Sequence, residues 1–157
     1  MPALEVKELV SEKIWDDYHK FTVVRDPFDK LVSGFFHLKK TKPFLFDAYE
    51  LLPVEEQFRS WVKDGGRLLD KNIYCVNGEI ICDSIVRYEN LKSDLVKVCN
   101  KLEVIPDMDQ LPVLKSEHRD NKYNLRQLYD RETVDIVSEI YAFEINKFNY
   151  SAPALNG

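Results

Sequence analysis

The segment FTVVRDPFDKLVSGF, residues 21–35, holds the residue types best placed to do chemistry. Arg25 follows a short apolar, β-branched run, and Ser33 stands eight residues further on. A guanidinium is a planar fork that grips a phosphate through two N–H groups, and a serine hydroxyl can donate to the same anion. Asp26 and Pro27 are a favoured N-cap and first helical residue, so a helix should spring directly from the strand end. The carboxyl edge of a parallel sheet is where α/β folds bind ligands, and a helix starting there offers N–H groups and a positive dipole end. The same residues also admit a plain structural arrangement, with Arg25 paired to Asp26 or Asp29 and Ser33 simply packing. His19 and His37 are of the residue type most used as a general base. However, one precedes the strand and the other lies inside the helix, and no orienting partner marks either as a base.

The elements that must position these residues follow from periodicity. Residues 3–18 place Val6, Leu9, Val10, Ile14 and Tyr18 on one helical stripe. Phe21–Val24 reads as a buried strand, and a helix runs from Phe28 to about Lys40, stopped by Thr41-Lys42-Pro43. Residues 44–53 read as loop. Glu55–Val62 is a helix burying Phe58 and Trp61, closed by Gly65-Gly66. Ile73–Val76 and Ile80–Val86 form strands around Asn77-Gly78, a two-residue hairpin signal, in which Cys75 faces Ile80 and Cys82 faces Ile73. Asn90–Glu103 and Asp130–Lys147 are amphipathic helices. Residues 106–123 read as one long polar loop, a length that is usually functional or disordered. Residues 1–150 are expected to form one α/β domain, and 151–157 a frayed tail.

Composition narrows the function classes. The 157 residues carry 22 Lys+Arg against 27 Asp+Glu, a net charge of −5, which argues against a general nucleic-acid binder. Yet residues 19–42 hold six basic and two acidic side chains, and residues 115–131 five and three. Two basic stretches on an acidic body suit a small anionic ligand. There is no Gly-rich phosphate loop, HExxH motif or paired CxxC, so no metal site is expected. Three cysteines cannot pair completely, which favours a reducing compartment. No run approaches a membrane span and no signal peptide is visible, so the sequence reads as cytoplasmic.

At residues 24–33, VRDPFDKLVS resembles the 3′-phosphate-binding segment of sulfotransferases that use 3′-phosphoadenylyl sulfate (PAPS). EKIWDDYHKFT, residues 12–22, resembles the segment that introduces this motif in the carbohydrate-type branch, family 2-like. DSIVRYENL, residues 83–91, is similar to that branch's strand and helix start. Residues 129–150, from YDRETVDIV to the closing FNY, resemble its final helix, with Asn149 where Gly is usual. Lys30 stands where an Arg is usual.

The resemblance implies a mostly parallel central sheet flanked by helices, related to P-loop nucleotide hydrolase folds. It implies sulfuryl transfer from PAPS to a hydroxyl of a carbohydrate, with release of the nucleotide PAP and without a metal. Arg25 and Ser33 would hold the 3′-phosphate, and Lys115, Ser116 and Arg119, in a segment that closes over the nucleotide, would reach its phosphates. The family's 5′-phosphosulfate loop has no counterpart before Arg25, so the chain resembles the C-terminal two-thirds of such an enzyme, as if N-terminally truncated, and its catalytic base is unassigned. Without the family's first strand a sheet edge would stand open, to be covered by residues 1–18, a partner chain or a second copy. Two rivals stay open: a non-catalytic nucleotide-binding or regulatory remnant, and an interaction module without a nucleotide site.

Overall fold

Strand β1, Phe21–Val24, alternates its burial: Thr22 and Val24 are buried, while Phe21 and Val23 are 47% and 43% exposed. The apolar run is therefore half-buried rather than fully buried, with the period of two that a strand imposes. It belongs to a computed structural model that describes residues 1–107 and 123–155. The chain divides into two units. One is built from Met1–Arg25 and the chain from Leu69; the other from Asp26–Leu68 and the C-terminal residues.

In the first unit, β1 pairs in parallel with β4, Ser84–Arg87, in the register Phe21 to Ser84 through Val24 to Arg87. Strands β2 (Cys75–Val76) and β3 (Glu79–Ile80) form a separate antiparallel hairpin. Its turn is the expected Asn77-Gly78, with φ of 51° and 85°, and Cys75 faces Ile80 as expected. The expected strand over 80–86 is instead two strands serving two sheets. Ile80 ends the hairpin, and the chain then leaves it to pair with β1, so Cys82 does not face Ile73. Helix α1 (Ala3–Leu9) packs on the hairpin side, and α5 (Leu91–Lys101) packs on β4. The expected helix over 3–18 breaks at Val10-Ser11, where Ser11 caps α2 (Glu12–Asp17) by accepting from Ile14 N–H. The break resets the helical phase, so Val6, Leu9, Ile14 and Tyr18 do not share one buried face and are all exposed.

In the second unit, α3 (Pro27–Thr41) supplies Phe28, Leu31, Val32 and Phe35 to an aromatic core with Phe46, Phe58, Trp61 and Tyr129. Phe35 stands edge-on to Phe46 and Phe58, with centroids 5.2 and 5.4 Å away, the geometry that ring quadrupoles favour. Phe58 and Trp61 come from α4 (Val54–Lys63), as expected. The expected loop over 44–53 contains a 3-10 helix, Pro43–Tyr49, which buries Phe46. Two short helices follow the undescribed stretch: α6 (Leu125–Leu128) and α7 (Arg131–Ile140), each opened by a reciprocal capping box. The expected helix over 130–147 is interrupted at Tyr141 before α8 (Ala142–Phe148). There the Tyr141 hydroxyl accepts from Leu68 N–H at 2.9 Å. Overall the protein is mixed α/β, with a short parallel sheet flanked by helices. Among the described residues no helix is long and apolar enough to cross a membrane.

Two interactions give measurable expectations. The buried Tyr129 hydroxyl donates to the Phe28 carbonyl at 3.0 Å. Tyr129→Phe should therefore lower unfolding free energy by about 0.5–1.5 kcal/mol, the net worth of one neutral hydrogen bond; an unchanged urea midpoint would refute this. At the amino ends of β1 and β4, Asp83 accepts from Lys20 N–H at 2.7 Å and pairs with the Lys20 ammonium at 2.9 Å. The Lys20 backbone N–H first, and then its ammonium, hold the Asp83 carboxyl below its ordinary value. A depressed carboxyl stabilises the fold above its unfolded pKa of about 3.9 and loses that contribution as pH falls through the lower folded value. Asp83→Asn should thus cost at most about 1 kcal/mol near neutrality, discounted for solvent screening. The difference from the parent should shrink in acid below the unfolded pKa, as urea titrations at several pH values would show.

Candidate functional site

Because β1 and β4 are parallel, both end at the same edge. Val24 lies opposite Arg87 in the register, so the next residues, Arg25 and Tyr88, come off the sheet side by side. The Arg25 guanidinium lies over the Tyr88 ring, 4.3 Å from its centroid. A cation over a ring face gains about 0.5–1 kcal/mol at an exposed site. The Arg87 N–H donates to the Asp94 carboxylate at 3.0 Å, which fastens the end of β4 to α5. The Lys97 ammonium first, and then this Arg87 N–H, hold that carboxyl below its usual range. Tyr88 is a residue that sequence reasoning missed. Its signal was the RYEN run, but only the parallel register shows that its ring meets Arg25.

The other edge of the same strand pair carries His19. Its Nε2 shares a hydrogen bond of 2.9 Å with Ser84 Oγ, and Lys101 Nζ donates to the same hydroxyl at 3.3 Å. His19 therefore has the partner the sequence did not reveal, but it stands at the amino edge, away from Arg25. A cleft of about 310 Å³ runs between β4 and α5, lined among others by Asp83, Ser84, Asp94, Lys97 and Lys101.

In the second unit, the start of α3 departs from the expectation of an open anion site. The Asp26 carboxylate itself accepts from Phe28 N–H at 2.8 Å and Asp29 N–H at 3.4 Å, and Lys30 N–H donates to the Asp26 carbonyl at 2.8 Å. Pro27 has no N–H. The first turn is thus filled by the protein's own carboxylate, and its dipole is answered by a charge already present. Ser33 sits half-buried two turns into α3. Next to it, Gly34 lets the Leu68 side chain approach so closely that a Cβ there would lie 1.9 Å from Leu68 Cδ1. The Lys30 ammonium lies over the Tyr141 ring, 4.8 Å from its centroid. Burial first, and then Asp26, Tyr141 and Asp29, push the Tyr129 hydroxyl well above the ordinary tyrosine value, so it serves as a neutral donor. His37 is half-buried in the interior of α3.

Arg25 closes the first unit and Ser33 belongs to the second; the capped turn at Asp26 joins them. Lys115, Ser116 and Arg119 lie outside the described residues. Among the described residues, no three His, Cys, Asp or Glu side chains gather as a metal site.

These features accord with the comparisons to known proteins. The sulfotransferase family profile matches residues 3–151, a span that includes both units. An uncharacterized protein of Archaeoglobus fulgidus is 31% identical over 110 residues, covering 69% of this chain and 88% of that protein. No solved structure matches. A profile match along nearly the whole chain, on an α/β frame whose parallel strands present Arg25 at their carboxyl edge, means that this chain belongs to the sulfotransferase family.

Proposed function

We propose that the chain binds PAPS as sulfuryl donor and transfers the group to a hydroxyl of a carbohydrate, with Arg25 and Ser33 holding the nucleotide's 3′-phosphate. The observation that carries the reading is Arg25 at the carboxyl edge of the parallel pair, with its guanidinium over the Tyr88 ring, in a chain of the sulfotransferase family. Membership of that family implies a sulfate donor of this kind. A guanidinium and a hydroxyl supply donors for a dianionic phosphate, which is the polarity the nucleotide requires. In this reading the Asp26 carboxylate is not a ligand. It holds the first turn of α3.

When bound, PAPS supplies the activated sulfuryl group. The residues named here orient the nucleotide rather than carry out the displacement. Transfer needs donors around the oxygens that gain charge, and Lys115, Ser116 and Arg119 are proposed to close over the phosphates. A second reading, a nucleotide-binding remnant that needs a partner chain for turnover, is favoured by His19. That histidine is tied to Ser84 at the amino edge and is not placed beside Arg25.

Thermal unfolding with adenosine 3′,5′-bisphosphate tests the proposal. At 100 times the dissociation constant, a ligand adds about 2.7 kcal/mol to stability, worth several degrees in a domain of this size. Arg25→Ala should abolish the shift, and Ser33→Ala should weaken affinity about tenfold, as expected for one hydrogen bond to a charged group. Adenosine 5′-phosphate, which lacks the 3′-phosphate, should bind parent and Arg25→Ala alike. A bisphosphate shift that survives Arg25→Ala would remove Arg25 from the site. Sulfuryl transfer from labelled PAPS to a sugar, assayed with the chain alone, separates the enzyme from the remnant.

A further inference from the structure

Gln57 carries an unmet polar group in the interior of the second unit. It lies one turn into α4 and is only 5% exposed. Its Nε2 donates to the Leu52 carbonyl at 2.7 Å. Its Oε1 is buried and accepts from no group of the protein. The bond to Leu52 fixes which way round the amide sits, because a flipped amide would set two oxygens against each other. Nearly all buried polar atoms of folded proteins have a partner, so this oxygen calls for a donor from outside the chain.

Gln57 lines a cleft of about 200 Å³ with Lys39, Pro43, Phe46, Asp47 and Glu50. Leu52 is not part of that lining. The amide therefore turns its donor away from the cleft and leaves its acceptor on the cleft side. The rest of the lining selects the donor. Asp47 and Glu50 stand three apart on the 3-10 helix Pro43–Tyr49 and its C-cap, and side chains at that spacing eclipse on a 3-10 helix. Both carboxylates thus serve the same cleft. Two carboxylates against the Lys39 ammonium leave the lining with one net negative charge. A single positive charge neutralises it, whereas a divalent metal ion would overshoot. Lys39 also lies in the last turn of α3, where the negative end of the helix dipole favours a cation. Pro43 and Phe46, the latter 4% exposed, make the remaining wall apolar, which suits an alkyl chain and not a bare ion. The volume falls below the roughly 300–1,000 Å³ of sites for larger organic ligands.

We propose that this cleft binds a small primary amine, free in solution, in its ammonium form. The ammonium donates to Gln57 Oε1 and to the Asp47 and Glu50 carboxylates, and the alkyl chain lies against Phe46 and Pro43. The site uses none of the nucleotide candidates and does not depend on the sulfuryl-transfer reading.

The test is an NMR titration of the full ¹⁵N-labelled chain with n-butylammonium and, at matched concentration, with 1-butanol, which keeps the alkyl chain and lacks the charge. The amine should shift the Gln57 side-chain amide and the Phe46 and Asp47 backbone amides along one saturable curve; the alcohol should leave them in place. Asp47→Asn and Glu50→Gln should each raise the Kd about threefold, as an exposed charge pair allows, and Lys39→Gln should lower it by a similar factor. Gln57→Met keeps the volume, removes the carbonyl and should abolish binding. Gln57 is buried, so circular dichroism checks that variant; the Asp47 and Glu50 variants, at exposed positions, test the proposal without it. Equal shifts with the alcohol, or amine binding indifferent to both carboxylates, overturns the proposal. So does the absence of a saturable shift at Gln57, which would leave a water as the donor to its carbonyl. Nα-acetyl-lysine methylamide carries the same ammonium on a peptide unit. Tighter binding of that compound than of n-butylammonium would overturn the free amine in favour of a partner protein's lysine.

Discussion

The parallel pairing of β1 with β4 is the constraint on which the candidate site depends. Antiparallel strands would end at opposite edges, whereas parallel strands end together. The register that sets Val24 opposite Arg87 therefore brings Arg25 and Tyr88 off one edge, and the guanidinium lands on the ring. The same pairing puts His19 and Ser84 at the other edge, where they bond each other. One register thus separates a phosphate candidate from a histidine that sequence alone left available as a base. The strand ends are fastened by side chains on neighbouring backbone: Asp83 on Lys20 N–H at the amino edge, Asp94 on Arg87 N–H at the carboxyl edge.

The second unit is organised around α3. Its apolar face presents Phe28, Leu31, Val32 and Phe35 to an aromatic cluster, and Phe35 meets Phe46, Phe58 and Trp61. Burying such rings contributes about 1.5–3 kcal/mol each, which holds the helix with little help from its surface residues. Its first turn is held twice, by Asp26 from below and by the Tyr129 hydroxyl on the Phe28 carbonyl. A helix fixed this firmly is a suitable carrier for Ser33, whose hydroxyl must be placed to within a hydrogen-bond length to be of use.

Local signals were legible where the chemistry is local. Asn77-Gly78 tolerates positive φ and so marks its turn; Asp26-Pro27 marks a helix start because a carboxylate satisfies the first N–H groups; Phe58 and Trp61 show their burial by spacing. Several failures are choices of partner. Residues 80–86 have one strand-like composition but split between a hairpin and a parallel pairing, because β1 competes for the second half of the run. The helix over 130–147 is interrupted at Tyr141, whose hydroxyl is claimed by Leu68 N–H. The stripe over 3–18 was interrupted by Ser11, an N-cap whose preference outweighed the continuity of the apolar pattern.

By itself, the sequence determined the α/β class, the family through its ordered motifs, and the position of Arg25 at a strand end followed by a capped helix. These depend on backbone preferences and hydrogen bonds within a few residues. Only the tertiary structure decided that Tyr88 meets Arg25, that His19 belongs to the opposite edge, and that Lys39 and Gln57 share a cleft. Each of these joins groups distant in the chain or chooses among competing partners. That choice is made by which pairing buries more surface and leaves fewer polar groups unsatisfied, a quantity no local window contains.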